Sequence, residues 1–115
     1  MVNTLIELLE SFGYPVYRQG SMSEDEAYPD TFITFWNVSS DDAMNYDNDA
    51  RATAWFFNVN VYSNDPDTTY SLIEEIRKTL KQNEWLVGGR GRDLPSDEPT
   101  HTGRGIDVIY LETID

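Results

Sequence analysis

Apolar and polar positions alternate most cleanly along Ala52–Tyr62, ATAWFFNVNVY, and this stretch predicts the strand around which the rest of the chain is arranged. Side chains alternate across a strand, so Thr53, Trp55, Phe57, Val59 and Val61 share one face. Ala54, Phe56, Asn58, Asn60 and Tyr62 share the other. The first set is apolar enough to wall a core. The second mixes aromatics with amides, the pattern of a face that meets water, a loop or another subunit.

The same reading runs along the rest of the chain. Leu5, Ile6, Leu8, Leu9 and Phe12 form an apolar stripe that predicts a helix over 3–12, capped by Asn3 or Thr4 and closed by Gly13. A short strand over 14–18 follows, with Pro15 at its start, and then a loop from Gln19 to Asp30. Residues 31–38, TFITFWNV, are apolar on both faces and predict a strand that is central or covered on each side. Ser39 to Ala50 is polar throughout and reads as a solvated arm between two strands, or as an arm that orders on assembly with Met44 and Tyr46 as anchors.

After the aromatic strand, Asp65 and Pro66 mark the start of a helix over 66–82. Thr69, Leu72, Ile73, Ile76 and Leu80 line its apolar face. Asp65 and Asp67 sit near its positive end, and Arg77, Lys78 and Lys81 near its negative end. A strand over 84–87, a glycine break at 88–92, a loop over 93–100 and a closing strand over 104–113 complete the order α-β-β-β-α-β-β. That order predicts a single α+β domain over residues 1–115, one mainly antiparallel sheet with two helices packed on one face.

Composition narrows the function classes. The chain has 115 residues with 21 acids against 8 lysines and arginines, a formal net charge of -13. Such a surface repels nucleic acid and anionic membranes, because phosphate binding draws its affinity from cationic side chains. It suits contact with a basic partner. From Gln19 to Ala50 there are eight acids and no lysine or arginine. With no cysteine, disulfides, thiolate metal sites and cysteine nucleophiles are ruled out. The sequence predicts neither a signal peptide nor a membrane-spanning segment.

Four stretches could carry chemistry. Gly88-Gly89-Arg90-Gly91-Arg92 is basic and glycine-rich, but it lacks the Walker spacing and the Rossmann fingerprint. It reads as a turn whose arginines answer the acidic surface, or as a subunit contact in which Arg90, Arg92 and Arg104 meet a neighbour's acidic loop. His101, the lone histidine, stands near Asp97 and Glu98, yet three groups crowded around a proline make a poor metal or general-base site. Asp47-Asn48-Asp49 and Asp41-Asp42 miss the glycine and glutamate positions of a calcium loop. No catalytic residue, cofactor or metal is expected.

Taken whole, the chain resembles the tail-completion proteins of long-tailed bacteriophages and prophages, also called tail-terminator, head–tail joining or minor capsid proteins. The resemblance lies in layout and phrases. These are a leucine-rich helix leading to Gly13-Tyr14-Pro15-Val16, then Tyr28-Pro29-Asp30, Phe32-Ile33-Thr34-Phe35-Trp36 and Tyr46-Asp47-Asn48. The aromatic strand ends Val61-Tyr62-Ser63-Asn64-Asp65-Pro66, and the close is Ser96-Asp97-Glu98-Pro99-Thr100-His101-Thr102-Gly103-Arg104-Gly105. It implies a non-enzymatic virion assembly protein, a subunit of a ring, commonly hexameric, at the head-proximal end of the tail. Such a ring assembles in the host cytoplasm and meets the tail-tube protein and head-connector proteins, while DNA passes through without being specifically bound. Charge and pattern nominate Asp41, Asp42, Met44, Tyr46, Asp47, Phe56, Tyr62, Arg90, Arg92 and Arg104 as inter-subunit contacts. Two other classes stay open: an acidic inhibitor that mimics DNA, and a small hydrolase-type enzyme using His101 with Asp97.

Overall fold

The computed structural model describes residues 2–18, 29–43, 52–94 and 100–113. In chain order the elements are α1 (Val2–Glu10), β1 (Val16–Arg18), β2 (Thr31–Ala43), β3 (Ala52–Ser63), α2 (Pro66–Gln82), β4 (Leu86–Val87), β5 (Arg92–Leu94) and β6 (Thr102–Thr113). The strands form one sheet in the order β1-β2-β3-β6-β4, with β5 also hydrogen-bonded to β6. Every pairing is antiparallel except β1 with β2. The expected α+β architecture is the observed one, and the aromatic strand β3 lies at its centre.

The core forms where the alternation of β3 meets the stripes of both helices. Phe57, Val59 and Val61 face Leu72, Ile73, Ile76 and Leu80 of α2 and Leu5 and Leu9 of α1, with Ile33, Phe35, Ile106, Val108 and Trp85 completing one buried cluster. Trp55 and Tyr110 pack at its margin, and there the helical cover stops. β2, β3 and β6 run on beyond it to Ala43, Ala52 and Thr113 as a three-stranded tongue.

Helix termini follow the sequence signals. The Asp65 carboxylate accepts from the Asp67 backbone N–H at 3.0 Å, and Pro66 occupies the first turn. Gly13 closes α1 with φ +87°. α2 ends differently. The Trp85 N–H reaches the Leu80 carbonyl and the Glu84 N–H the Lys81 carbonyl, a Schellman arrangement that puts Glu84 at φ 70°. Glycine takes that conformation without strain, and other L-residues pay about 1–2 kcal/mol for it. Glu84→Gly is therefore expected to stabilise the fold by about 1 kcal/mol after the entropy gained by the unfolded chain is subtracted, read as a rise in the urea midpoint.

Three expectations are corrected. β2 does not stop at Val38. Its polar continuation Ser39–Ala43 pairs with Phe56–Ala52 after a bulge at Val38, because hydrogen bonding to β3 overrides low strand propensity. The segment expected as loop from Asp93 contains β5, which continues in the direction of β4 along the same edge of β6 after Gly89 and Gly91, both at positive φ. Glu84 and Trp85 belong to the helix closure, so β4 is confined to Leu86–Val87.

Candidate interaction surface

The sheet face opposite the helices divides into a closed half and an open half. Read across β2, β3 and β6, its rungs are Phe32–Tyr62–Gly103, Thr34–Asn60–Gly105, Trp36–Asn58–Asp107, Ser39–Phe56–Ile109 and Asp41–Ala54–Leu111.

The first two rungs and Asn58 are closed. Tyr62 stacks on Phe32 with ring centroids 5.3 Å apart, and Tyr17 meets Phe32 edge-on. The Tyr62 ring crosses Gly103 so closely that an added Cβ there would lie 2.6 Å from Tyr62 Cε1. Asn60 crosses Gly105 in the same way, with Leu94 of β5 over both. Asn58 donates to the Asp107 carboxylate at 3.0 Å, and Arg92 pairs with the same carboxylate at 3.1 Å. Asn58 and Asn60 are thus buried, so of the expected neighbours of this face it is the chain itself, and not water, that meets them. The reason is β5, which runs beside β6 and whose Arg92 and Leu94 side chains reach over a stretch left bare by two glycines.

The open half begins at Trp36. Trp36 is 44% exposed, Val38 52%, Leu86 57% and Leu111 48%, beside the half-buried Phe56 and Ile109. Leu86 stands opposite Ile109 across the β4–β6 pairing, so the patch is continuous over three strands and β4. Scattered apolar side chains are normal on a surface, and it is their contiguity on one sheet face that makes this half the candidate contact surface. Along its β2 side it meets the exposed Asp41, and the backbone of Asp42 lies opposite Thr53.

The expected basic cluster is answered from within the chain. Arg90 reaches Glu74 at 3.3 Å, Arg92 reaches Asp107, and Arg104 reaches Asp93 at 2.8 Å. Arg104 is mostly buried and lies 4.3 Å from the centre of the Tyr70 ring, whose hydroxyl also donates to Asp93. Arg90 and Arg92 are exposed on opposite sides of the sheet's β4–β5 end, Arg90 toward α2 and Arg92 on the face away from it. Met44, Tyr46 and Asp47, and the Asp97 and Glu98 invoked for chemistry, lie outside the described residues.

His101 is a latch in this geometry. Its Nε2 lies 2.8 Å from the Pro29 carbonyl oxygen and its Nδ1 3.0 Å from Thr100 Oγ1. A carbonyl only accepts, so Nε2 carries a proton and donates to it, while Nδ1 shares a hydrogen bond with the threonine hydroxyl. The ring thereby ties the start of β6 to the chain entering β2. A cleft of about 360 Å³ beside it is lined by Pro66, Thr69, Tyr70, Asp93, Leu94 and His101, among others. Among the described residues its one carboxylate, Asp93, is already held by Arg104 and Tyr70. Among the described residues, no three histidine, aspartate or glutamate side chains converge as metal ligands.

No protein-family model and no curated protein sequence matches the chain. Among solved structures it is similar to the sheath/tube terminator of an extracellular contractile injection system, PVC, in the extended state. The identity is 11% and the TM-score 0.45, over 99% of this chain and 56% of that one. This chain therefore spans little more than half of that neighbour's length. At that level of likeness neither function nor partners carry over.

Sequence reasoning singled out Phe56 but missed Trp36, Leu86, Ile109 and Leu111 as its neighbours. Their grouping depends on strand order. A signal for the closed half was present: Gly103 and Gly105 alternate within an otherwise regular strand, the mark of a close approach by another group.

Proposed function

We propose that this chain is a non-enzymatic assembly protein, a tail-completion subunit that works as one member of a homo-oligomeric ring at the head-proximal end of a phage-type tail. The observation that carries an assembly role is the tongue with its open apolar half-face, Trp36, Phe56, Leu86, Ile109 and Leu111, on a small domain whose helices cover only the other face. The placement at a tail rests on the sequence layout set out above. In this reading Phe56 and its neighbours form the contact between copies, and exposed Arg92 borders it. The acidic arm, Asp41, Asp42, Met44, Tyr46 and Asp47, faces a partner in the tail tube or head connector. A net charge of -13 keeps the lumen from holding the DNA that passes. The site of action is the host cytoplasm during assembly and then the virion.

The inhibitor reading needs carboxylates arrayed along a rigid element. The exposed side of α2 instead interleaves Glu74 and Glu75 with Arg77, Lys78 and Lys81. The hydrolase reading needs a free imidazole, and both nitrogens of His101 are engaged.

The test is mass in solution at high protein concentration, with and without isolated tail tubes. A discrete ring, or a ring that forms only on tube ends, is the expected result. A protein that stays monomeric and leaves tube ends uncapped overturns the reading. Trp36→Ser is expected to abolish the ring while leaving the urea midpoint close to the parent value, and Phe56→Ser to abolish it at a stability cost of about 1 kcal/mol.

A further inference from the structure

We propose that the outer edge of β2 beyond its bulge, Ser39–Ala43, receives an extended lysine- or arginine-bearing segment of a different protein, which joins the sheet as an added strand. The inference deepens the assembly reading by giving the chemistry of one partner, and it rests on that reading.

The backbone phase comes first. The Ile33 N–H donates to the carbonyl of Pro15, the residue just before β1, so Ile33 points its backbone groups away from β3. Ile33 stands opposite Val61, so the odd residues of β3 turn toward β6 and the even ones toward β2. The Asp107 carbonyl, which accepts from Gly88 on the outer side of β6, has the phase this requires. Phe56, Ala54 and Ala52 therefore bond to Ser39, Asp41 and Ala43. Ser40 and Asp42, between them, aim N–H and C=O outward. β1 pairs only with Ile33–Phe35, and among the described residues no strand lies beside Ser39–Ala43. Such a row of outward groups is a template for another strand.

Charge selects the occupant. Asp41 and Asp42 stand on this edge, and Glu112 occupies the matching end of β6. A second copy adding here, whether through its β2 or its β6, would set acids beside acids, which disfavours self-pairing. Arg90, Arg92 and Arg104 of a copy already hold Glu74, Asp107 and Asp93 and would have to release them to offset this. The complement must come from another chain, and its charge must be positive. The bulge at Val38 fits the same picture, since it shortens the edge open to unselective pairing and leaves an exposed apolar side chain at the entry.

The experiment uses the full chain and two synthetic eight-residue probes, one alternating threonine and lysine, the other threonine and glutamate. Backbone amide exchange is followed residue by residue. The lysine peptide is expected to slow exchange of the Ser40 and Asp42 amides at least tenfold at low salt, with the effect fading as salt rises, while the glutamate peptide leaves them unchanged. Ser40→Pro removes an outward donor without removing a bond to β3, so it is expected to keep the parent urea midpoint and lose the protection. Asp41→Lys is expected to weaken the lysine peptide and admit the glutamate one.

The proposal is overturned if both peptides protect equally or neither protects. It is also overturned if Ser40→Pro binds as the parent does, or if the two amides are already protected in the free protein. Ring formation by Ser40→Pro separates the two readings. A ring that forms without peptide binding leaves the assembly role standing and removes the edge. Peptide binding by a chain that never assembles does the reverse.

Discussion

Phe57→Ala is expected to cost about 3–5 kcal/mol, the range for removing a buried phenylalanine side chain. Phe57 is 1% exposed at the middle of the central strand. Its ring centroid lies 6.4 Å from that of Trp55 and 6.0 Å from that of Trp85. Trp85 in turn packs on Tyr110 at 5.1 Å. The cavity left by alanine would open beside three aromatics, Trp55, Trp85 and Tyr110, fixed by two strands and the helix closure, so collapse could fill little of it. Against a total of about 5–15 kcal/mol for a native domain, that loss places the variant near unfolding at ordinary temperature. Urea titration reads it as a large fall in midpoint with an unchanged slope. The adjacent Phe56→Ala supplies the contrast. One residue along, the side chain faces the other way and is already half in water, so the expected cost is about 1 kcal/mol. If the two substitutions cost the same, the assignment of faces along β3 is wrong.

The second large effect is expected at the glycines of β6. Gly105→Ala places a methyl group into Asn60 and within 2.8 Å of Leu94 Cδ1, and Gly103→Ala places one against the Tyr62 ring and 3.2 Å from the Leu94 carbonyl oxygen. Overpacking of this kind costs about 1–3 kcal/mol. Gly88→Ala is the control, because its nearest neighbour would stand at 3.6 Å, an ordinary contact. Asn60→Ala in the Gly105→Ala background is expected to recover part of the loss, since the overlapping group is then gone. A double-mutant cycle measures that coupling directly. Strict additivity would show that Asn60 does not cross Gly105.

These sites also show what the sequence could and could not convey. β3, α2 and β6 were legible because their patterns are long and regular, and each had a clear punctuation mark such as Asp65-Pro66. The faces of β3 were right for Phe57, Val59 and Val61, whose burial follows from alternation alone. Asn58 and Asn60 lie on the expected opposite face, but whether water, a loop or another subunit meets them was open, because an amide does not reveal what lies above it. What lies above includes Arg92 and Leu94, side chains of β5, a strand only three residues long and held beside β6 by a pairing that no local pattern encodes. The same reason explains β2. Ser39 to Ala43 has the composition of a loop and becomes strand because β3 offers it a ladder. The arginine cluster was legible as charge, but its carboxylate partners come from α2, β5 and β6. Pairing at such sequence distances appears only when the chain is folded.

The position of β3 between β2 and β6 has a consequence for the order of folding. Its pairing with β2 joins neighbours in sequence, whereas its pairing with β6 runs from Ser63 with Thr102 to Ala52 with Thr113, across α2 and two short strands. Loop closure makes the second ladder the slower one to form. Until β6 arrives, the most aromatic strand of the chain has one edge bare and its inner face covered only by helices. A nascent or nicked chain lacking β6 would carry an aggregation-prone surface. The acids crowded on both sides of β3, rather than any element of the finished sheet, would then keep such chains apart.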